Sequence, residues 1–181
     1  KMIRDEQLIE TCAASKLVFE GKILHVFVDN INLPNGEQGF REYIKHIGAV
    51  AVLPLTDDGK VICVRQYRYA VGQVTLEIPA GKLEKGENPC LAAARELEEE
   101  TGIKSENLQL IFTLYPSPGY TNEKIYIYLA KDGKRNPAHL DEGEFLDVVW
   151  LKRAEVLELL SQGKLHDSKT IVALQSYFLR E

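Results

Sequence analysis

Apolar and polar residues alternate along the first part of the chain, and this period of two predicts β-strands. Two short runs of this kind lie within residues 16–33, and a third covers 41–46. Residues 48–55 form an almost continuous apolar run, as expected for a strand buried on both faces. The turn sequence DDG at 57–59 separates this run from another strand pattern at 60–69. The two runs are therefore a candidate β-hairpin.

The clearest helix in the pattern spans residues 89–101. Asn88 is suited to cap its first turn, and Pro89 suits the first helical position because that residue needs no N–H donor. Gly102 is suited to the left-handed conformation that commonly ends a helix. The helical spacing predicts a buried stripe formed by Leu91, Ala94 and Leu97.

The remaining pattern mixes strands with helices. A short strand is predicted at 74–80. Later strands are predicted at 108–115, 124–129 and 145–151, and helices near 152–162 and 167–180. This mixture indicates an α/β or α+β domain. We expect residues 1–45 to form a small strand-rich region and residues 46–181 to form the main domain.

Composition limits the classes of function. The chain has 181 residues, with 22 Lys and Arg against 27 Asp and Glu, so its formal net charge is −5. Hydrophobic residues make up 45%, which is enough for a buried core. The negative net charge argues against a protein that binds nucleic acid through its phosphates, since such proteins have basic surfaces. A small phosphorylated substrate remains compatible, because bound cations can reverse the local charge.

Cysteine usage and hydropathy indicate a cytoplasmic protein that does not bind membranes. No apolar run approaches the roughly 20 residues that a membrane span needs. The first ten residues, KMIRDEQLIE, contain no apolar signal-peptide core. The three cysteines are odd in number and lack CxxC spacing, so neither a disulfide framework nor a zinc site is predicted. This usage fits a reducing compartment.

The predicted helix at 89–101 carries an electrostatic conflict. Its last turns contain Glu96, Glu98, Glu99 and Glu100. The C-terminal end of a helix carries partial negative charge, so carboxylates are unfavourable there. Like charges four residues apart also repel each other. We therefore expect a positive group to compensate for these charges.

Spacing shows which carboxylates can act together. Glu96, Glu99 and Glu100 are three or four residues apart and share one helix face, whereas Glu98 points elsewhere. Carboxylates grouped on one face suit a hard cation such as Mg²⁺ or Mn²⁺. The alternatives are a solvated acidic face or a cluster neutralised by a nearby arginine.

The surrounding sequence, GKLEKGENPCLAAARELEEETGI at 81–103, has a specific pattern. Gly81 is followed after five residues by Glu87, and Glu87 after seven residues by the segment RELEEETGI at 95–103. This pattern resembles the Nudix box at every defined position, including Arg95 and Gly102. The chain is therefore similar to the Nudix hydrolases, which cleave a nucleoside diphosphate linked to another moiety.

The resemblance implies a fold and a metal site. The fold would be an α/β/α sandwich with a mixed central sheet, preceded by a small N-terminal antiparallel strand region. Glu96 and Glu100 would be the principal metal ligands, joined by the carbonyl of Ala80, and Glu99 would support catalysis in the same cluster. Glu87 and Arg95 would pair to brace the loop against the helix. The implied cofactor is Mg²⁺ or Mn²⁺.

Flanking segments resemble the ADP-ribose pyrophosphatase group of this family. They are VRQYR at 64–68, VTLEIPAGKLEKGE at 74–87 and YPSPGYTNE at 115–123. Pro118, fifteen residues beyond Ile103, stands where that group has a proline. Arg68 aligns with an arginine that contacts substrate phosphate, and Arg41 with one near the adenine or the adjacent phosphate. An exposed strand arginine is the alternative for both.

The resemblance also implies a general base and a dimer. In the similar enzymes the base lies in an acidic loop before the last strand, here DEGE at 141–144. Glu142 is our first candidate and Glu144 the second, and the alternative is an ordinary polar turn. The N-terminal strands exchange between the subunits of a homodimer in the similar enzymes.

The predicted activity is Mg²⁺-dependent hydrolysis of ADP-ribose to AMP and ribose 5-phosphate. One alternative keeps the chemistry and changes the substrate to a nucleotide sugar, a dinucleoside polyphosphate, NADH or an oxidised nucleoside triphosphate. A second is a Nudix-fold module that senses ADP-ribose without cleaving it. A third is an acidic protein-interaction helix without catalysis, which would show no dependence on metal.

Overall fold

The computed structural model describes residues 4–131, 133–136, 143 and 145–179. These residues form two compact units. The first unit contains the described residues up to His46 together with Ser117–Glu123. The second contains Ile47–Pro116 and the described residues from Lys124 onward.

The first unit is built on a three-stranded antiparallel sheet in the order β1-β2-β3. Its strands are β1 (Thr11–Glu20), β2 (His25–Asn32) and β3 (Gln38–Ile44). The predicted N-terminal strands are thus confirmed. The segment Ser117–Glu123 adds to the end of β3, since Thr121 forms a parallel bridge with Ile44.

The second unit contains nine described strands and three helices. They are β4 (Ala49–Pro54), β5 (Val61–Arg68), β6 (Gln73–Glu77), β7 (Ala80–Lys82), α1 (Pro89–Thr101), β8 (Ile103–Lys104), β9 (Asn107–Leu114), β10 (Ile125–Lys131), β11 (Lys134–Arg135), β12 (Leu146–Leu151), α2 (Arg153–Ser161) and α3 (Ser168–Phe178). Within the described part of the chain, no helix is both long and apolar enough to cross a membrane.

The sheets of the second unit lie between two helical layers. The order β7-β4-β10-β9 forms a mixed sheet in which β4 and β10 are parallel, and β12-β5-β6 forms an antiparallel sheet. Side chains alternate along β4, so Leu53 joins a core with α2 and α3, whereas Val52 joins a core with α1. This arrangement confirms the predicted α/β/α sandwich.

The predicted hairpin between 48–55 and 60–69 is wrong. The turn itself forms, because the N–H of Thr56 donates to the carbonyl of Lys60 at 3.0 Å. The two strands then enter different sheets, and only Leu55 and Val61 form a bridge. β4 pairs with β7 and β10, and β5 pairs with β6 and β12, so partners distant in sequence replace the local pairing.

The ends of α1 are confirmed, whereas its predicted buried stripe is correct at Leu97 and wrong at Leu91. The side chain of Asn88 accepts a hydrogen bond from the N–H of Cys90, and Gly102 ends the helix with φ 71°. Leu91 is 69% exposed, and the buried face instead contains Ala92, Ala93, Leu97, Glu100 and Thr101. The sheet decides which face is buried, and two adjacent alanines let the helix approach it closely.

Candidate catalytic site

Arg95 is the centre of the acidic cluster on α1. Its Nε and Nη2 donate to the two carboxylate oxygens of Glu87 at 3.1 and 3.2 Å. Its Nη1 donates to both Glu96 and Glu99 at 2.9 Å. Its Nη2 also lies 3.5 Å from the carbonyl oxygen of Lys82. One guanidinium therefore joins three carboxylates and connects the helix to the preceding loop.

The electrostatics follow from this geometry. The hydrogen bonds that Arg95 donates to Glu87, with the nearby charge of Glu96, raise the pKa of Arg95 above its ordinary value, although desolvation opposes them. The hydrogen bonds from Arg95, together with one from the N–H of Glu84, lower the pKa of Glu87. Arg95 thus supplies positive charge that the last turns of α1 require.

Two close approaches bring the helix carboxylates against strand β7. A Cβ atom added at Gly81 would lie 2.0 Å from the Cδ and Oε1 atoms of Glu96, so glycine makes room for this carboxylate. Glu100 is 4% exposed, and its Oε2 accepts a hydrogen bond from the N–H of Ala80 at 3.1 Å. The glycine, the alanine backbone and both glutamates therefore belong to one site.

The donor atoms of this site suit a hard divalent cation. Carboxylate oxygens are the ligands that Mg²⁺ and Mn²⁺ prefer, and the described site contributes no thiolate or imidazole. Among the described residues, no group of three or more His, Cys, Asp and Glu side chains is arranged to hold a metal as it stands. Because Arg95 bonds Glu96 and Glu99, those carboxylates would have to turn away from Arg95 to bind a cation.

A second group of charges lies where β5 and β6 end. Nε and Nη2 of Arg68 each donate to one oxygen of Glu77 at 2.7 Å. Thr75 donates its hydroxyl to the same carboxylate at 2.5 Å, and Nζ of Lys169 does so at 2.5 Å. Lys169 also bonds Asp167 at 2.9 Å. Arg68, our candidate for phosphate contact, is therefore held in a network of ion pairs.

Comparison with known proteins identifies the family. A family model described as the NUDIX domain matches residues 45–174. The chain belongs to the Nudix family. Members of this family generally use divalent metal ions, in agreement with the carboxylate donors of α1.

Relatives match this Nudix chain over almost its full length. A methanol dehydrogenase activator of Bacillus methanolicus is 42% identical and is aligned over 98% of this chain and 95% of its own length. An ADP-ribose pyrophosphatase of Bacillus subtilis is also 42% identical, over 97% of this chain and 96% of its own. A crystal structure of an ADP compounds hydrolase matches with a TM-score of 0.82 at 26% identity, covering 94% of this chain and 92% of that one.

The other candidate residues lie outside the α1 cluster. Arg41 is on β3 of the first unit, where it bonds the carboxylate of Glu10 and donates to the carbonyl of Phe40 at 2.9 Å. Pro118 lies in the turn at 117–121, which joins the first unit at the end of β3. Glu142 and Glu144, our candidates for the general base, lie outside the described residues.

Sequence reasoning missed Glu77 and Lys169. Both carried a detectable signal. Glu77 is a charged residue between the apolar Leu76 and Ile78 of a predicted strand, and its exposed fraction is 2%. Lys169 is in the first turn of α3, where the helix dipole disfavours a cation. Two residues that are each unfavourable alone indicate a buried pair.

The network predicts a stability loss at low pH. Burial alone would raise the pKa of Glu77, but the hydrogen bond from Arg68 and the charge of Lys169 outweigh it and lower the pKa from 4.5 to about 2. The ionised carboxylate therefore stabilises the fold fully above about pH 4.5, and this contribution is lost as the pH falls toward 2. The difference corresponds to about 3 kcal/mol of unfolding free energy.

Urea unfolding between pH 6 and pH 3 measures this effect, with Glu77→Gln as the comparison. We expect the free energy of unfolding of the wild type to fall more steeply with decreasing pH than that of the variant. Equal slopes for the two proteins would mean that Glu77 does not contribute to the acid sensitivity.

Proposed function

We propose that this Nudix protein hydrolyses the pyrophosphate bond of ADP-ribose, with Mg²⁺ as the preferred cation, to give AMP and ribose 5-phosphate. The observation that carries the proposal is the packing of α1 on β7, which brings Glu96 against Gly81 and Glu100 onto Ala80. The substrate is supported by the Bacillus subtilis relative named ADP-ribose pyrophosphatase, which is aligned over 96% of its own length.

In this proposal the cation is held by Glu96, Glu100 and the carbonyl of Ala80, with Glu99 beside them. When bound, a divalent cation neutralises phosphate charge and makes a water molecule more acidic. Glu142 or Glu144 accepts a proton from the attacking water, whose oxygen forms a new bond to phosphorus. The bond between that phosphorus and the bridging oxygen breaks, so each product carries one phosphate.

Three further residues bind the substrate in this proposal. Arg68 contacts a phosphate through the part of its guanidinium that faces away from Glu77, as charge complementarity favours. Arg41 contacts the adenine or the adjacent phosphate, and Pro118 shapes the loop beside the substrate. Gly81, Glu87, Arg95 and Gly102 maintain the geometry of the loop and helix.

We also propose that residues 1–45 are a dimerisation element of a cytoplasmic homodimer. All ten residues of β1 are exposed, including Leu17, Val18 and Phe19, and Phe40 on β3 is exposed as well. A long apolar strand of this kind is a favourable surface for another chain. The cytoplasmic location rests on the cysteine composition alone.

Release of AMP from ADP-ribose, with and without Mg²⁺, tests the proposed function. We expect release that requires the cation and stops when a chelator removes it, because the carboxylates alone cannot neutralise the pyrophosphate. The comparison substrates are a nucleotide sugar, NADH and a dinucleoside polyphosphate, each at the same concentration.

Two outcomes would contradict the proposal in different ways. Faster hydrolysis of another nucleotide would keep the chemistry and overturn the substrate. Binding of ADP-ribose without cleavage would favour a sensor. The 42% identity to a methanol dehydrogenase activator makes stimulation of a methanol dehydrogenase a second candidate function. The same preparation is therefore added to a methanol dehydrogenase, whose rate would rise if the protein has this second function.

A further inference from the structure

The orientation of Arg68 is set by a carboxylate outside the acidic helix. On the antiparallel pair of β5 and β6, Val64 stands opposite Glu77 and Arg68 opposite Gln73, so Arg68 and Glu77 share a sheet face. Glu77 takes two of the five N–H donors of the guanidinium, one on Nε and one on Nη2. A bidentate pair of this kind fixes the plane of the guanidinium.

Burial differs sharply across this ion pair. Glu77 is 2% exposed, whereas the Arg68 side chain is 43% exposed. The carboxylate is therefore an internal support, and the guanidinium extends from it toward solvent with donors remaining for an anion. The hydrogen bonds and charge of Glu77, and then the charges of Asp167 and Glu100, raise the pKa of Arg68, although desolvation opposes them.

The carboxylate of Glu77 is also held by a second cation, Lys169. Nζ of Lys169, a residue that is 8% exposed, bonds both Glu77 and Asp167. Asp167 caps α3 by accepting from the N–H of Thr170, and the Thr170 hydroxyl accepts from the N–H of Ile78. Helix α3 is thereby connected to the residue that follows Glu77. Removing either charge would leave Glu77 with Arg68 alone, or Lys169 with Asp167 alone, as its charged partner among the described residues.

A stability role alone does not explain this arrangement well. Buried ion pairs are weak sources of stability, and apolar residues of similar size often replace them without loss. Lys169 is also placed in the helix turn that least favours a cation. Such a network instead fixes geometry. It holds the Glu77 carboxylate in one place, and the carboxylate holds the Arg68 guanidinium in one plane.

We propose that Glu77 is a positioning residue that orients Arg68 toward a substrate phosphate, and that Lys169 holds the Glu77 carboxylate in the required place. This inference rests on the proposed contact between Arg68 and phosphate. It assigns a part in substrate binding to two residues that lie outside the Nudix box and 92 positions apart.

The first test is the effect of Glu77→Gln on the kinetics of ADP-ribose hydrolysis. We expect KM to rise about tenfold and kcat to change less than about twofold, because the variant loses a charged hydrogen bond that supports binding. In an Arg68→Ala background the same substitution is expected to have little further effect on KM, because both changes act through one contact. Lys169→Met is expected to raise KM in the same direction, and Lys169→Arg to restore it.

Asp147→Asn is the matched control. Asp147, on β12, pairs at 3.5 Å with Arg65, which is on the same strand as Arg68. This pair is exposed and lies on the opposite sheet face from Arg68 and Glu77. We expect the KM of Asp147→Asn for ADP-ribose to stay at the wild-type value. Thermal unfolding accompanies every assay, and Glu77→Gln combined with Lys169→Met removes both buried charges together if either single variant folds poorly.

A second readout does not depend on hydrolysis. The Nε–H resonance of Arg68 is followed by NMR while inorganic pyrophosphate is added without metal. We expect a shift in the wild type and a weaker one in Glu77→Gln. The wild type could show the larger shift and yet fail to cleave ADP-ribose. In that case the proposed function fails and the positioning role stands. The inference is overturned if pyrophosphate does not move the wild-type resonance, or if Glu77→Gln changes KM equally with and without Arg68.

Discussion

We expect Glu100→Gln to lower kcat for ADP-ribose hydrolysis by at least about 10³-fold, equivalent to about 4 kcal/mol of transition-state stabilisation. Glutamine keeps an oxygen that can accept the hydrogen bond from the N–H of Ala80, so the helix stays in place against β7. It removes the negative charge, however, and with it the attraction for a divalent cation. The rate of AMP release at saturating Mg²⁺ and ADP-ribose measures the effect.

Glu98→Gln is the control for this prediction, because Glu98 is on the same helix but outside the shared face of Glu96, Glu99 and Glu100. We expect it to keep a rate within about threefold of the wild type, as is usual for surface changes. A comparable loss in both variants would indicate a general effect of charge on the helix. Full activity of Glu100→Gln would remove this carboxylate from the proposed set of ligands.

We expect Gly81→Ala to lower kcat by about 10²-fold with little loss of stability. The new methyl group would stand 2.0 Å from the carboxylate of Glu96, which lies at the end of a flexible side chain and can turn away. The fold then remains stable, but the Glu96 carboxylate moves from its position. Misplacement by about 1 Å in a catalytic site can lower kcat about 10²-fold. Steady-state kinetics measure the change in kcat, and thermal unfolding of the same preparation measures the change in stability.

Gly39→Ala is a suitable control for the added methyl group. A Cβ at Gly39 would meet its nearest atoms at 3.6 Å, an ordinary contact, and its backbone does not need the left-handed conformation. We expect this variant to retain wild-type kcat. If Gly81→Ala keeps full activity, Glu96 does not need its observed position for catalysis. If it unfolds at a much lower temperature, the glycine serves the fold.

The local signals in the chain were sufficient for the helix that carries the site. Asn88 caps α1 and Gly102 ends it, as their side-chain and backbone chemistry predicts. The electrostatic conflict among the glutamates also led to the correct expectation of a compensating cation, which is Arg95 on the same helix. These features depend on residues within about one or two turns of each other.

The sequence-based predictions were wrong where strand pairing or helix packing depended on segments distant in the chain. The strand patterns of β4 and β5 were visible, but the turn between them suggested a hairpin that the sheets do not contain. Leu91 has a suitable spacing for a buried stripe, yet the sheet packs against the side of α1 that carries Ala93 and Leu97. Spacing predicts that a helix has an apolar face, but another layer decides which face is covered.

The sequence alone identified the residues of the candidate metal site, because the Nudix box is continuous from Gly81 to Ile103. Tertiary contacts were needed to show that Gly81 accommodates Glu96, and that Arg68 and Lys169 both bond Glu77. The physical reason is the range of the interactions. Caps and helix periodicity act between near neighbours, whereas a buried ion pair joins residues whose separation along the chain carries no information about their distance in space.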